Sequence, residues 1–329
     1  TLTEEDLIQL FYYKFTETPL LKRMDAVKDY FIDSWETLKG RNISEDDQEM
    51  LQMKFDKMYT TKDIYTIYNW MLDDCGCDLL PEVPYEKRKL PYEDVFPMLY
   101  LKYRLSGGNS THKNIKHLVI DEMQDYTYLQ YTILESLFHC RMTILGDRAQ
   151  TLDTKQQDVL RFLPKLLGRE IRTIEIKKSY RNTLEIARYA EKVSGVSNLE
   201  LLDRHGKEVV EKTFNTDTEL LDELVCHLKC PGDFETAALI TTTEEEAFDL
   251  SRLLKLRGIN VSYVDRNSSA FKKGLTVTTY YLAKGLEFDQ VFALRGAKEN
   301  PLKNQAEYIC ATRALHELYI YEITDSLSK

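Results

Sequence analysis

KNIKHLVIDEMQDYTYLQYTILESLFHCRMTILGDRAQTLD, residues 113–153, decides how the rest of the chain is read. Two short apolar runs stand in it, at 118–120 and 142–145. Each ends in acid: Asp121 and Glu122 after the first, Gly146 and Asp147 after the second. Continuous aliphatic runs bounded by polar residues suit buried strands of a parallel sheet. About 20 residues separate them, enough for the crossover helix that parallel strands require. Leu129, Ile133, Leu134 and Leu137 recur at helical spacing and would face that sheet. Both acidic ends should then emerge at the carboxyl ends of strands, the edge where open α/β sheets bind ligands.

Adjacent Asp and Glu at a strand end are what the hydrolysis of a Mg²⁺-nucleotide needs. One carboxylate holds the ion, usually through its waters, and the next takes a proton from the attacking water. Gly146 and Asp147 followed by Gln150 repeat the arrangement one strand over, with an amide to orient a water or touch a γ-phosphate. Acids also simply terminate strands, and these residues alone leave both readings open.

The chain has 329 residues, long enough for two domains with their own cores. With 43% hydrophobic and 30% charged residues it has a globular composition. No apolar run approaches the roughly 20 residues of a membrane span, and TLTEEDLIQL at the start does not read as a signal peptide. The six cysteines (75, 77, 140, 226, 230 and 310) lack a second Cys or His pair at zinc spacing. They read as buried or free thiols of a cytoplasmic protein. Net charge is −10, with 22 basic and 29 acidic residues in 1–170 against 22 and 25 in 171–329. That argues against a chain-wide nucleic-acid footprint and leaves room for a local basic channel.

Residues 1–80 read as all-helical. Thr3 followed by Glu4, Glu5 and Asp6 is a helix start. Stripes run through Leu7, Leu10, Phe11 and Phe15, through Leu20, Met24, Val27, Phe31, Trp35 and Leu38, and through Ile64, Tyr65, Tyr68, Met71 and Leu72. Ser44 with Asp47 opens a further helix. The aromatic stripe reads as core or helix-pair seam, and nothing in this part carries chemistry. Prolines 81, 84 and 91 mark a connector, 92–105 is helical, and 107–110 is a flexible turn. Beyond 153 the expected elements are a helix at 159–167, a strand at 171–176, a helix at 184–193, and an irregular stretch or hairpin at 196–216. Then come helix 218–228, strand 236–241, helix 244–256, strands 261–264, 275–279 and 291–294, helix 305–315 and strand 318–323. Alternating strands and helices imply a second parallel α/β domain.

Five motifs now stand in order: VIDEMQD (119–125), ILGDRAQ (144–150), SYRN (179–182), LAKGLEFD (282–289) and ICATRA (309–314). The set resembles that of superfamily 1 helicases of the UvrD/Rep type. YEDVFPMLYLKYRLSG (92–107), YYLAKGLEFD and ICATRALHELYIY bring it nearest to the HelD group, which associates with bacterial RNA polymerase. The resemblance covers about 118–323 and implies RecA-like P-loop NTPase motor domains. Their bounds would be a helical segment 1–106, the back part of a first motor domain 107–170, and a second motor domain 171–329. It implies ATP and Mg²⁺ as cofactors, with Asp121 holding the ion, Glu122 as general base and Gln150 sensing the γ-phosphate. Arg181 and Arg313 would be cationic clamps, and Glu287 would contact the ribose. An arginine opening a helix also forms plain ion pairs, and KGLEF also makes plain turns.

The chain departs from the family in three ways. No GxxxxGK[ST] occurs, so residues 1–329 read as the C-terminal part of a longer ATPase and should not turn over ATP alone. Thr151, Leu152 and Asp153 stand where DNA-tracking relatives place an aromatic platform, which predicts weak binding of single-stranded DNA. Only about 100 residues separate Arg181 from Lys284, too few for the accessory domain that DNA helicases insert there, and Tyr281 replaces a usual His. The rivals are a 3′–5′ DNA helicase and a non-enzymatic interaction module with a degenerate motor fold.

Overall fold

The computed structural model describes residues 3–108, 114–152, 158–168, 171–196, 199–229, 234–268, 273–296 and 300–323. The expected turn at 109–110, Asp153 and Cys230 lie outside them. Contacts divide the chain into two compact units, Thr1–Ile120 with Tyr126–Thr143 and Lys165–Leu167, and Asp121–Asp125 with Ile144–Pro164 and Gly168–Lys329.

In the first unit the N-terminal elements are helices: α1 (Glu4–Gln9), α2 (Arg23–Lys39), α3 (Glu45–Asp56), α4 (Ile64–Asp74) and α5 (Tyr92–Ser106). Thr3 and Asp6 close a reciprocal capping box on α1, and Ser44 caps α3 through the Asp47 amide. Gly40 ends α2 in the left-handed region at φ 63°. Phe11, Val27 and Phe55 form one small core, and Tyr65, Tyr68, Leu72 and Leu80 another. The second stripe runs out of core at its end, where Leu38 is 84% exposed.

β1 (His117–Ile120), α6 (Tyr128–Leu137) and β2 (Arg141–Ile144) follow, the two strands hydrogen-bonded to each other in a two-stranded sheet. Full burial of these strands does not occur. Val119 is 60% exposed while Ile120 is buried, because one face of so small a sheet lies open.

The second unit is built on six parallel strands in the order β5-β10-β9-β6-β8-β7. These are β5 (Val210–Phe214), β6 (Thr236–Thr241), β7 (Ser262–Tyr263), β8 (Gly274–Thr279), β9 (Phe288–Arg295) and β10 (Ala314–Ile323). Successive side chains of a strand point to opposite faces. Ala238 and Ile240 therefore pack under α8 (Leu184–Ser194) and α11 (Lys303–Arg313). Leu239 packs under α9 (Asp217–Lys229) and α10 (Glu244–Leu256) on the other side. The result is a three-layer mixed α/β unit. The remaining elements are α7 (Val159–Leu167) and a separate two-stranded parallel sheet of β3 (Lys178–Ser179) and β4 (Glu200–Leu201).

One expectation fails here, and one alternative drops out. No strand forms at 171–176, where Ile174 is 68% and Ile176 78% exposed, because alternation supplies a strand face but no partner edge. Of the two alternatives for 196–216, an irregular stretch or a hairpin, the hairpin does not form among the described residues. β4 pairs β3 and β5 pairs β10, each in parallel. Among the described residues no helix is long and apolar enough to cross a membrane. The described cysteines, 75, 77, 140, 226 and 310, are free thiols.

Candidate functional site

Every candidate site residue named from the sequence lies in the second unit. Glu122 is the one non-glycine residue with positive φ among those described, at 51°. Such a conformation costs about 1–3 kcal/mol and persists only where surroundings enforce it. The Asp121 Oδ1 accepts from the Glu122 amide at 2.8 Å, and the Gln124 amide donates to Glu122 Oε2 at 2.6 Å. The Gln124 carbonyl in turn accepts from the Asp147 N–H at 3.0 Å. One buried glutamine thus fixes both acidic strand ends. Gly146 permits this closeness. A Cβ there would sit 2.5 Å from Gln124 Oε1 and 2.6 Å from the Met123 nitrogen. Gly146→Ala should therefore lower unfolding free energy by about 1–3 kcal/mol, the usual cost of overpacking. Urea denaturation with an unchanged midpoint would refute this.

Asp147 is fully engaged. Its Oδ1 caps the Ala149 N–H at 3.0 Å. Its Oδ2 accepts from the Gln150 amide at 3.0 Å and the Tyr308 hydroxyl at 2.7 Å. Burial, then the Asp147 charge, raises Tyr308 above its ordinary pKa and keeps that hydroxyl a donor. The Gln150 carbonyl faces Arg313 Nη2 at 3.5 Å. A polar chain so runs from Glu122 through Gln124, Asp147 and Gln150 to Arg313.

Arg313 is only 3% exposed. Its nearest partners are the Leu286 carbonyl at 3.3 Å and the Thr312 hydroxyl at 3.3 Å. Among the described residues no carboxylate lies within ion-pair distance of it. Burial, then the Arg181 charge, lowers its pKa, and Glu122, Glu287 and Asp147 pull the other way. The plain alternative, a helical pair with Glu317, does not form. The helix ends at Arg313 and Glu317 belongs to β10, where it accepts from Gln290 and Tyr319. The Asn182 amide donates to the carbonyls of Ala311 at 3.1 Å and Ala314 at 2.7 Å. It so satisfies the orphaned end of α11 and ties the SYRN segment to Arg313.

Arg181 does form an ion pair, with Glu287 at 2.7 Å, both side chains nearly half exposed. Pairs in that setting contribute at most about 1 kcal/mol, so this one opens at little cost. The two line an open pocket of about 590 Å³ with Asp147, Gln150, Arg204 and Thr312. Lys284, almost buried, pairs with Asp125 at 2.6 Å and joins the KGLEF turn to the acidic segment.

Asp121 is exposed and keeps one carboxylate oxygen clear of the hydrogen bond that turns Glu122. Among the described residues no three His, Cys, Asp or Glu side chains cluster as metal ligands. A single exposed carboxylate fits Mg²⁺, which keeps several waters and takes its other oxygens from phosphate.

The acids stand at strand carboxyl ends as expected, Asp121 and Glu122 directly after β1 and Asp147 after β2, whereas the other side of the pocket does not. Glu287 precedes β9 and Arg313 precedes β10, so this side of the pocket is the amino edge of the six-stranded sheet. α11 returns antiparallel to the strands and carries its last residue to that edge. At the carboxyl edge lies another cavity, of about 490 Å³, where Arg295 is already neutralised by Glu307 at 2.7 Å and Glu322 at 2.8 Å. Gln124, Asp125, Asn182, Lys284 and Tyr308 had no role in the sequence reading. All but Tyr308 carried a signal, their place inside VIDEMQD, SYRN or LAKGLEFD.

No protein-family model matches the chain, and no curated protein does. Among solved structures it is similar to the C-terminal domain of a possible DNA helicase from Lactobacillus plantarum WCFS1. Identity is 26% over 44% of this chain and 88% of that one, with a TM-score of 0.37. It is also similar to the PRRSV helicase, at 15% identity over 80% of this chain and 46% of that one, with a TM-score of 0.37.

Proposed function

We propose that residues 1–329 are the C-terminal motor portion of an ATP-dependent superfamily 1 helicase or translocase of the HelD type. The motor would have RecA-like domains and couple ATP hydrolysis to remodelling RNA polymerase or to movement on nucleic acid. The observation that carries this reading is the polar chain from Glu122 to the buried, carboxylate-free Arg313. A guanidinium desolvated without a carboxylate partner is costly, and a γ-phosphate would supply the missing charge. In this reading Glu122 takes a proton from the attacking water, and Gln124 keeps its carboxylate aimed. Gln150 bridges that water to Arg313. Arg181 leaves Glu287 for phosphate, which frees Glu287 for a ribose hydroxyl. Asp121 would hold Mg²⁺ through water, and the ion supplies charge neutralisation on the phosphates.

The segment 1–106 would be a helical accessory part, 107–170 the back of the first motor domain and 171–329 the second, in a cytoplasmic protein. Thr151 and Leu152, with Leu152 packed against the core, offer no stacking platform after GDRAQ. This and the net charge of −10 favour a polymerase partner over a plain 3′–5′ DNA helicase. In this reading a phosphate-binding loop comes from outside 1–329, which holds no GxxxxGK[ST]. Purified 1–329 should accordingly show no ATP turnover above background, measured as phosphate release. Turnover that disappears with Glu122→Gln would overturn this. In the complete ATPase, stimulation by RNA polymerase rather than by single-stranded DNA is the expected result.

A further inference from the structure

Arg204 belongs to none of the five motifs, yet it lines the same pocket as Arg181 and Glu287. Its Nη1 donates to the Arg181 carbonyl at 3.0 Å, and its Nη2 lies against the His316 ring, 2.9 Å from Nδ1 and 3.5 Å from Nε2. His316 Nε2 faces Asp289 Oδ1 at 3.6 Å. Asp289 cannot drift, because its other oxygen accepts from the Thr236 amide at 2.9 Å and the Thr236 hydroxyl at 2.8 Å. Phe234 stacks on the His316 ring at 5.6 Å. A line of polar contacts therefore leads from the start of β9 and β10 to the backbone of Arg181.

The loop that carries Arg204 is locked as well. Its carbonyl accepts from the Leu184 N–H at 2.8 Å, at the first turn of α8. Glu185 accepts from His205 Nδ1 at 2.8 Å and from the Gly206 N–H at 2.8 Å. The His205 hydrogen bond holds the Glu185 carboxyl down at about 2. Gly206 lies so close to Thr183 that an added Cβ would be 2.5 Å from its methyl group. The outcome is a guanidinium fixed at two points beside Arg181, whose side chain pairs with Glu287.

We infer that Arg204 is the positioning residue for Arg181, held by His316 and Asp289, and sets the direction from which Arg181 meets an anionic ligand. This rests on the reading of the pocket as a site for nucleotide phosphate. Planar, two-pronged donation suits Arg and is lost in Lys, whose single ammonium does not span both acceptors.

The experiment takes residues 1–329 with Arg204→Gln, Arg204→Lys, His316→Ala and Arg181→Ala. Solvent exchange of the Arg181 Nε–H is read by ¹H–¹⁵N spectroscopy, and affinity for inorganic tripolyphosphate by calorimetry. Arg204→Gln should speed the exchange and weaken tripolyphosphate by about threefold to tenfold each, the factor that one lost net hydrogen bond supplies. On the Arg181→Ala background it should cost nothing further, since a positioning residue acts only through what it positions. Arg204→Lys should resemble Arg204→Gln, and His316→Ala should give the same change more weakly. Unchanged Arg181 exchange in folded Arg204→Gln overturns the inference. Full rescue by Lys overturns it too, and so does an additive loss of affinity, since each makes Arg204 a plain charge. Should Arg204→Gln fail to fold, His316→Ala decides by the same exchange measurement. If wild type binds no tripolyphosphate, the nucleotide reading falls, and the exchange rates still decide the positioning.

Discussion

Glu122→Gln should leave ATP affinity within about twofold and lower kcat by about 10²–10⁴-fold in the complete ATPase, the range general-base catalysis supplies. The geometry makes this variant clean. Its amide keeps the length of the side chain and one oxygen to accept from Gln124, so the link to Asp147 survives. The φ of 51° remains as costly as before, and folding stability should stay within the ±0.5 kcal/mol of surface changes. Gln124→Ala is the informative companion. It cuts the tie between the two acidic strand ends while leaving the Glu122 carboxylate in place. Its kcat should fall by less than that of Glu122→Gln. Equal kcat for wild type and Glu122→Gln in a steady-state assay would remove Glu122 from the base role.

What the sequence disclosed and what it hid follow from the range of the forces involved. α10 and β6 fall on the expected residues because capping and periodicity are local. Thr243 with Glu246 closes a capping box, and the apolar run of β6 is bounded by polar residues. The failed strand at 171–176 shows the limit. Strandness depends on a partner edge, and partners lie elsewhere in the chain. β5 finds its neighbour in β10, more than a hundred residues on. The candidate site divides in the same way. Asp121, Glu122, Gln150, Arg181, Glu287 and Arg313 announced themselves through residue type and order. The groups that hold them together bond over long separations. Asn182 reaches Ala311, Tyr308 reaches Asp147 and Lys284 reaches Asp125.

Arg313 offers the sharpest separation between a structural and a chemical role. A buried arginine kept for stability has a carboxylate beside it, and breaking such a pair costs about 3–5 kcal/mol. Arg313 has none within ion-pair distance among the described residues. Burial and the Arg181 charge already lower its pKa, which means the folded chain bears a cost for keeping it charged. Arg313→Met retains most of the aliphatic stem that packs there and removes the charge. Replacement of a buried charge by a well-packed apolar side chain is neutral or stabilising, so the unfolding free energy should change by less than about 1.5 kcal/mol. Turnover should respond quite differently. A guanidinium that meets the charge developing on a transferred phosphoryl group is worth about 10³–10⁵ in kcat, and Arg313→Met in the complete ATPase should lose that much. Arg181→Met should lose less, since Arg181 is half exposed and already shares its charge with Glu287. The Gln150 carbonyl, 3.5 Å from Nη2, would be freed from Arg313 without losing Asp147, so the first-turn geometry around Asp147 should persist in the variant. A thermal melt beside a single-turnover assay reads both quantities. Lost stability with preserved turnover would make Arg313 a packing residue and take away the observation on which the ATPase reading stands.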